Sequence, residues 1–337
     1  MRRTGMLILA LTAALALPAL AGAADTVNAY SIWPENWARP MFQEFEKATG
    51  IKVNFVRFSS GEALARVIAE KNNPRVDVLF GGPVETHAAG IKEGVFEPYK
   101  PPTFAVLPDR FKEAGGQWVA IADDPLVFMS NAKFLKENGL KPPASWDDLL
   151  LPAYKNMLQM ADARTSGTAV TRIFSILEVH GRNEDKAFEY LKKKRKSVQL
   201  YTKSGGGGTL PVGMGQAGAG IFFIVDALDT KAKGYDVVVS FPKEGIGTAA
   251  EAIALLKGAK NPELGKKLID WAASPAMQSQ FAKYKINFVP AHPEVQVEAS
   301  LAGVLKAAKI FPIDAAYAGA NRKRIVERWV SEVLPAQ

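Results

Sequence analysis

After about residue 25, short apolar runs alternate with segments whose apolar positions recur every three or four residues. Residues 27–32 read as a strand. Residues 40–49 read as a helix, with Met41, Phe42, Phe45 and Ala48 on one face and Gly50 as its stop. Residues 53–58 give a second strand, and Ser60 opens a helix carrying Leu64, Val67 and Ile68 at helical spacing. A third strand, 76–80, runs into Gly81-Gly82-Pro83; Thr86 then starts a helix that Gly94 ends. Strand–helix alternation of this kind needs crossovers and therefore a largely parallel sheet in a layered α/β fold. Ligands of such sheets lie beyond the carboxyl ends of the strands. Ser31, Trp33, the turn Ser59-Ser60-Gly61 and Gly82 all fall on that edge. Residues 118–122 read as a further strand, interrupted by Pro125.

Ahead of this pattern, Arg2 and Arg3 precede a 12-residue apolar stretch, residues 6–17, and the small-residue run Ala21-Gly22-Ala23. A charged head, a short apolar core and a small-residue cleavage site read as a signal peptide over 1–23. The apolar stretch is too short for the ~18 residues of a membrane-spanning helix. The mature chain is thus expected free in the periplasm. It contains no cysteine, which excludes disulfides, thiolate metal sites and cysteine nucleophiles. Without such staples the fold must rest on a large apolar core, and 48% apolar composition supplies one. Loss of Arg2 and Arg3 leaves 40 basic and 34 acidic residues, a net charge of +6. That field favours anionic ligands, although a merely solvated basic surface gives the same count. The sharpest basic run, Lys192 to Lys196, follows a helical pattern and reads as a solvent-facing helix end. No aromatic interleaving points to nucleic acid.

Three hydroxyl-and-glycine turns sit at expected helix starts: Ser59-Ser60-Gly61, Thr165-Ser166-Gly167-Thr168, and the run opened by Ser204-Gly205. A helix start offers unpaired N–H groups and the positive end of a dipole, and glycine lets an anion approach the backbone. Ordinary N-capping uses the same residues, so both roles stand open at this level. The glycine run 205–208 lacks the Gly-Lys-Ser/Thr of a nucleotide loop. Asp226, after five apolar positions, can accept hydrogen bonds from ligand hydroxyls, pair with an ammonium, or cap the segment from Ala227. Trp33 and Trp37 can stack on a sugar or face a cation.

The run from Ser59 to Pro74, followed by Val76-Asp77-Val78-Leu79-Phe80-Gly81-Gly82, resembles the family 1 extracellular solute-binding proteins of bacterial ABC importers. The resemblance is to the branch that groups ferric-ion, hexose-phosphate and phosphonate binders. It continues through Pro143 to Leu150, Thr165 to Ala169, Tyr201 to Gly205, Phe241 to Gly245, Ile313-Asp314 and Asn321-Arg322. It implies a type II periplasmic-binding fold, with lobe 1 from 24–122 and 248–337, lobe 2 from 123–247, and a hinge crossed more than once. It also implies a receptor, monomeric and without cofactor, that closes on a small anionic solute and docks transiently on ABC permease subunits. Asp314, Tyr317 and Asn321, at helical spacing, would then close the wall of lobe 1. The adjacent tyrosines of ferric binders are missing, since 220–226 reads Gly-Ile-Phe-Phe-Ile-Val-Asp, and His87, His180 and His292 are isolated. The His-Asp pair of hexose-phosphate binders stands here as Val225-Asp226, and the glutamate of their later Gly-Tyr-Glu stretch is replaced, 247–251 reading Gly-Thr-Ala-Ala-Glu. Ferric or polyamine binding remains the alternative within the class. A secreted hydrolase is the alternative outside it, but Gly-x-Ser-x-Gly and His-Glu-x-x-His are absent.

Overall fold

The computed structural model describes residues 25–335, so the expected leader over 1–23 lies outside the described residues. β1 (Thr26–Ser31), α1 (Glu35–Thr49), β2 (Lys52–Arg57), α2 (Ser60–Ala69) and β3 (Val78–Pro83) form the expected crossover unit, with parallel strands in the order β2-β1-β3. α1 begins at Glu35 and holds Pro40 inside it, where the apolar pattern alone places the start. The proline forfeits one backbone hydrogen bond. Burial of Trp37, Met41, Phe42 and Phe45 on one stripe offsets that loss, at roughly 1.5–3 kcal/mol per side chain. α3 (Val84–Lys92) leaves β3 with no intervening loop, and the short β4 (Phe96–Glu97) follows.

β5 (Val119–Asn131) is buried along its whole length. It leads into α4 (Ala132–Glu137), β6 (Leu158–Ala161), α5 (Gly167–Val179), α6 (Glu184–Arg195), β7 (Val198–Thr202), α7 (Thr209–Gly213), β8 (Ala219–Phe223), α8 (Ile224–Ala232) and β9 (Val237–Ser240). β6 lies parallel to both β7 and β8. β10 (Ile246–Leu256) then returns antiparallel to β3 and β5. After it come α9 (Pro262–Ala272), α10 (Pro275–Gln278), α11 (Gln280–Lys283), α12 (Ala299–Leu305), β11 (Ile310–Pro312) and α13 (Ala315–Glu332).

Pro125 does not interrupt β5; it marks where the strand changes partner. Val119 to Pro125 pair with β10, while Leu126 to Asn131 pair with β8 and β9. A residue that cannot donate to a ladder is tolerated where one ladder gives way to another. Through β5 and β10 the two sheets become one continuous structure with order β2-β1-β3-β10-β5-β8-β6-β7. α13 spans both sides. Gly319 abuts Ala88 of α3, whereas Trp329 meets the ring of Tyr201 edge-on at 5.0 Å, and Arg324 and Arg328 pair with Glu184 of α6.

The basic run at the end of α6 is split by the fold. Lys192 and Lys193 face solvent as expected, but Lys194 is buried, its Nζ over the rings of Trp146 and Tyr190 at 5.3 and 4.9 Å with no hydrogen-bond partner among the described residues. Two ring faces return roughly 2–4 kcal/mol, less than the cost of stripping water from an ammonium. Burial, aided by the nearby Arg172, therefore holds Lys194 well below the ordinary lysine range. As pH falls below that range, the unfolded chain takes up a proton that the folded chain does not, so stability drops until the folded amine also titrates. Lys194→Met should thus raise the unfolding free energy at pH 7 by roughly 1–3 kcal/mol. It should also flatten the rise in stability toward alkaline pH. Urea titrations at pH 7 and 9.5 check both, and a destabilised variant would refute the account.

Candidate functional site

The carboxyl ends of β1 to β3 face the start of α5 and the β8–α8 junction across a cleft, with β5 and β10 beneath. Each wall is built by a helix start. Ser59 caps α2, and its backbone N–H donates to Glu62 at 3.4 Å. Ser166 caps α5, its hydroxyl accepting from Ala169 N–H at 3.4 Å. The walls touch directly: Gly61 N–H donates to Thr165 O at 2.8 Å, and Lys203 pairs with Glu62 at 2.7 Å. That ion pair lies in water and is worth under about 1 kcal/mol. The backbone bond depends on glycine, because a Cβ on Gly61 would strike Arg164 O and one on Gly167 would strike the Ser60 hydroxyl and the Pro83 ring.

Between the walls lies a cavity of about 60 Å³, roughly four to six times the space one water requires. Of the residues singled out in the sequence, Trp33, Ser59, Ser60, Ser166, Gly167, Thr168, Gly205 and Asp226 line it, as does Trp37. Gly61, Thr165, Gly82 and Ser31 stand just behind. Gly61 and Thr165 make the wall-to-wall bond, Gly82 N–H donates to Glu251 at 2.7 Å, and the Ser31 hydroxyl ties down Trp33 O at 3.0 Å. Ser204 precedes a single 3-10 turn, Gly205–Gly208, of which Gly205 and Gly206 reach the cavity. Asp314 is elsewhere: it caps α13, pairs with Arg182 at 3.3 Å and borders a separate cavity of about 570 Å³.

Trp33 is built in more tightly than a stacking platform would be. One face lies on Phe288 with centroids 4.4 Å apart, Phe80 meets it at 5.0 Å, and its Nε1 donates to Glu251 at 2.7 Å. Its indole therefore orients a carboxylate. Asp226 lies in the first turn of α8, which begins at Ile224 and not at Ala227. No described group donates a hydrogen bond to its side chain. Burial pushes its carboxyl up to about 7, against the pull of Arg57.

Three further lining residues carry charge and were not singled out from the sequence: Arg57, Asp124 and Glu251. Arg57 ends β2, donates to the Ser59 hydroxyl at 3.4 Å, and keeps a buried Nε without a partner among the described residues. A charged residue at the carboxyl end of a parallel strand was the available signal. Asp124 and Glu251 come from β5 and β10, and burial drives both carboxyls up, Glu251 to about 8 and Asp124 well above its ordinary range. An acid inside an otherwise apolar strand would have marked each. Among the described residues, no group of three or more His, Cys, Asp or Glu is set to hold a metal ion.

Two α/β layers sharing two long antiparallel strands, with helix starts facing each other over a polar cleft, define a type II periplasmic-binding fold built to capture a solute. The chain belongs to the bacterial extracellular solute-binding proteins, whose family model matches residues 40–312. It is the solute-binding component of an ABC importer. An uncharacterized protein of Haemophilus influenzae is 32% identical over 97% of this chain and 96% of its own. A putative 2-aminoethylphosphonate-binding periplasmic protein of Salmonella typhimurium is 27% identical over 77% of each chain. The periplasmic binding protein AfuA of Actinobacillus pleuropneumoniae, solved with fructose-6-phosphate bound, superposes with a TM-score of 0.87 at 29% identity, over 92% of this chain and 99% of that one.

Proposed function

We propose that this receptor works in the periplasm as a monomer, capturing a small phosphorylated or phosphonate solute and passing it unchanged to the permease subunits of its importer. The observation that carries this reading is the convergence of the α2 and α5 starts, with Ser59, Ser60, Ser166, Thr168 and the Arg57 guanidinium, on one cavity. Helix starts and hydroxyls supply donors to phosphoryl oxygens, and a guanidinium supplies a charge-assisted pair. In this reading Arg57, Asp124 and Glu251 join Ser59, Ser60, Ser166, Gly167, Thr168, Gly205 and Asp226 as ligand contacts, with Trp33 holding Glu251 in place. The relatives named for 2-aminoethylphosphonate and solved with fructose-6-phosphate bound support it. The cavity favours a compact ligand; one the size of a hexose phosphate requires the walls to stand farther apart than they do here.

The two lobes in this reading are 24–122 with 248–337, and 123–247. β5 and β10 form the hinge, and the end of α13 leans on the second lobe. Only a ligand that touches both walls shifts the population toward closure. The test is native mass spectrometry of protein purified without refolding, then a thermal-shift panel of sugar phosphates, phosphonates, carboxylates and Fe(III). A phosphorylated or phosphonate ligand at a hundredfold excess over Kd should stabilise the fold by about 2.7 kcal/mol. Stabilisation by uncharged sugars or Fe(III) alone would sink the reading, and so would catalytic release of phosphate from phosphomonoesters.

A further inference from the structure

α5 turns one strip of small residues, Gly167, Thr171 and Ser175, toward the facing wall, each about one helical turn after the last. Gly167 lies against the Ser60 hydroxyl and the Pro83 ring, and the Ser175 hydroxyl accepts the Gly247 N–H of β10 at 2.8 Å. Between them the Thr171 hydroxyl reaches Oε1 of Glu85, in the first turn of α3. Glu85 is fully buried, and its Oε2 has no partner among the described residues. From the contact of Gly319 with Ala88, one further turn along α13 and one turn back along α3 put Arg322 within electrostatic reach of Glu85. Nε and Nη2 of Arg322 are also buried and unpartnered among the described residues. Opposite charges on two packed helices thus each hold buried polar atoms in need of a partner, at a cost in stability.

Resting on the reading of β5 and β10 as a hinge between two closing lobes, we infer that Glu85 is a positioning residue with two exclusive partners: Thr171 across the lobe boundary when the lobes close, and Arg322 within its own lobe when they part. Opening carries α5 away and takes the donor from Oε1. The freed carboxylate then gains by turning onto the Arg322 fork, a planar pair of charged donors. Closure breaks that pair, so Arg322 opposes closure and Thr171 favours it. A proton follows the exchange. In the closed form burial pushes the Glu85 carboxyl up to about 7, against the pull of Thr171 and Arg322. Protonated Glu85 donates to Thr171, whose own proton then serves Gly167 O at 3.1 Å. Glu251 of β10 also faces Glu85 and, as a like charge, disfavours its ionisation. His87, two positions along α3, has its Nδ1 at Pro83 O and is pushed down by burial to about 4, so it stays neutral near pH 7. Pairing with Arg322 holds the open-state carboxyl low. Closure therefore takes up a proton: it is favoured progressively as pH falls below about 7, and the gain is absent above that.

Because the chain contains no cysteine, Glu46→Cys and Lys136→Cys, at exposed positions one on each lobe, take a pair of spin labels uniquely. Double electron–electron resonance on the ligand-free mature receptor, at about pH 5.5 and about pH 8, reads the closed-to-open ratio. With Glu85, Thr171 and Arg322 intact, that ratio should be about tenfold higher at the lower pH. Glu85→Gln still accepts from Thr171 but offers Arg322 no charge, so it should keep a high ratio at both pH values. Arg322→Met should raise the ratio at the higher pH by about tenfold, whereas Thr171→Val should lower it by about fivefold. Arg322→Gln offers the same reading should the methionine variant fold poorly. Opposite signs separate positioning from mere support of the fold, which would weaken closure in every variant. Asp226 and Glu251 are common to all of these proteins, so their titration cancels in the comparison with Glu85→Gln. An unaltered pH dependence in Glu85→Gln, an Arg322 variant that closes less, or one distance unmoved by pH and by every variant overturns the inference. No ligand is used, so that failure leaves the phosphoryl reading to the thermal-shift panel, and failure of the panel leaves the exchange of partners standing.

Discussion

Arg57→Met is expected to weaken binding of a phosphorylated ligand by about a hundredfold, some 2–3 kcal/mol. Among the described residues the guanidinium is the single lining cation, it stands beside the Ser59 cap, and its buried Nε has no partner. Methionine keeps the apolar stem while removing charge and fork. Arg57→Lys should recover only part of the loss, because an ammonium restores charge without the planar pair of donors. Folding stability should not fall, since burial already disfavours the charged form of Arg57. Calorimetric titration of both variants checks the order Arg, Lys, Met. Affinities within twofold of one another would mean that the phosphoryl group lies elsewhere in the cleft.

A second large effect is expected from Gly167→Val. Gly167 opens α5, and any side chain there meets the Ser60 hydroxyl and the Pro83 ring on the facing wall. The Ser60 hydroxyl can rotate aside but the Pro83 ring cannot, so the walls must separate, and the Gly61–Thr165 backbone bond parts with them. Forcing volume into a closed contact costs roughly 1–3 kcal/mol, or about 5- to 150-fold in affinity. The loss should arise because the ligand-bound form can no longer close. Small-angle scattering separates this from lost contacts: the wild type should compact on ligand addition and the variant should not. Equal compaction in both would show that closure does not bring these two walls together.

Much of the fold was legible because crossover units leave a periodic trace. The first three strands, the helix from Ser60 and the turn positions at their carboxyl ends follow from alternating apolar runs, glycines and caps within a few residues of one another. Pro40 and Pro125 misled for one reason: proline signals a local boundary, whereas a buried helix stripe and a change of strand partner are distant decisions. Lys194 misled similarly, since a run of five basic residues has no means of showing that one of them turns toward Trp146 and Tyr190.

The candidate site divides along the same line. The sequence by itself determined a cysteine-free α/β chain, a resemblance to solute-binding receptors, and two serine caps able to meet an anion, because caps and turns are set by neighbours along the chain. Only the tertiary structure decided that α2 and α5 face each other, that Trp33 serves Glu251, that Asp314 belongs to another surface, and that Asp124, Asp226 and Glu251 share one cavity with Arg57. Those residues lie up to 194 positions apart. Whether a carboxyl there is a surface charge or a proton-holding acceptor depends on which strands pair and how much water they exclude.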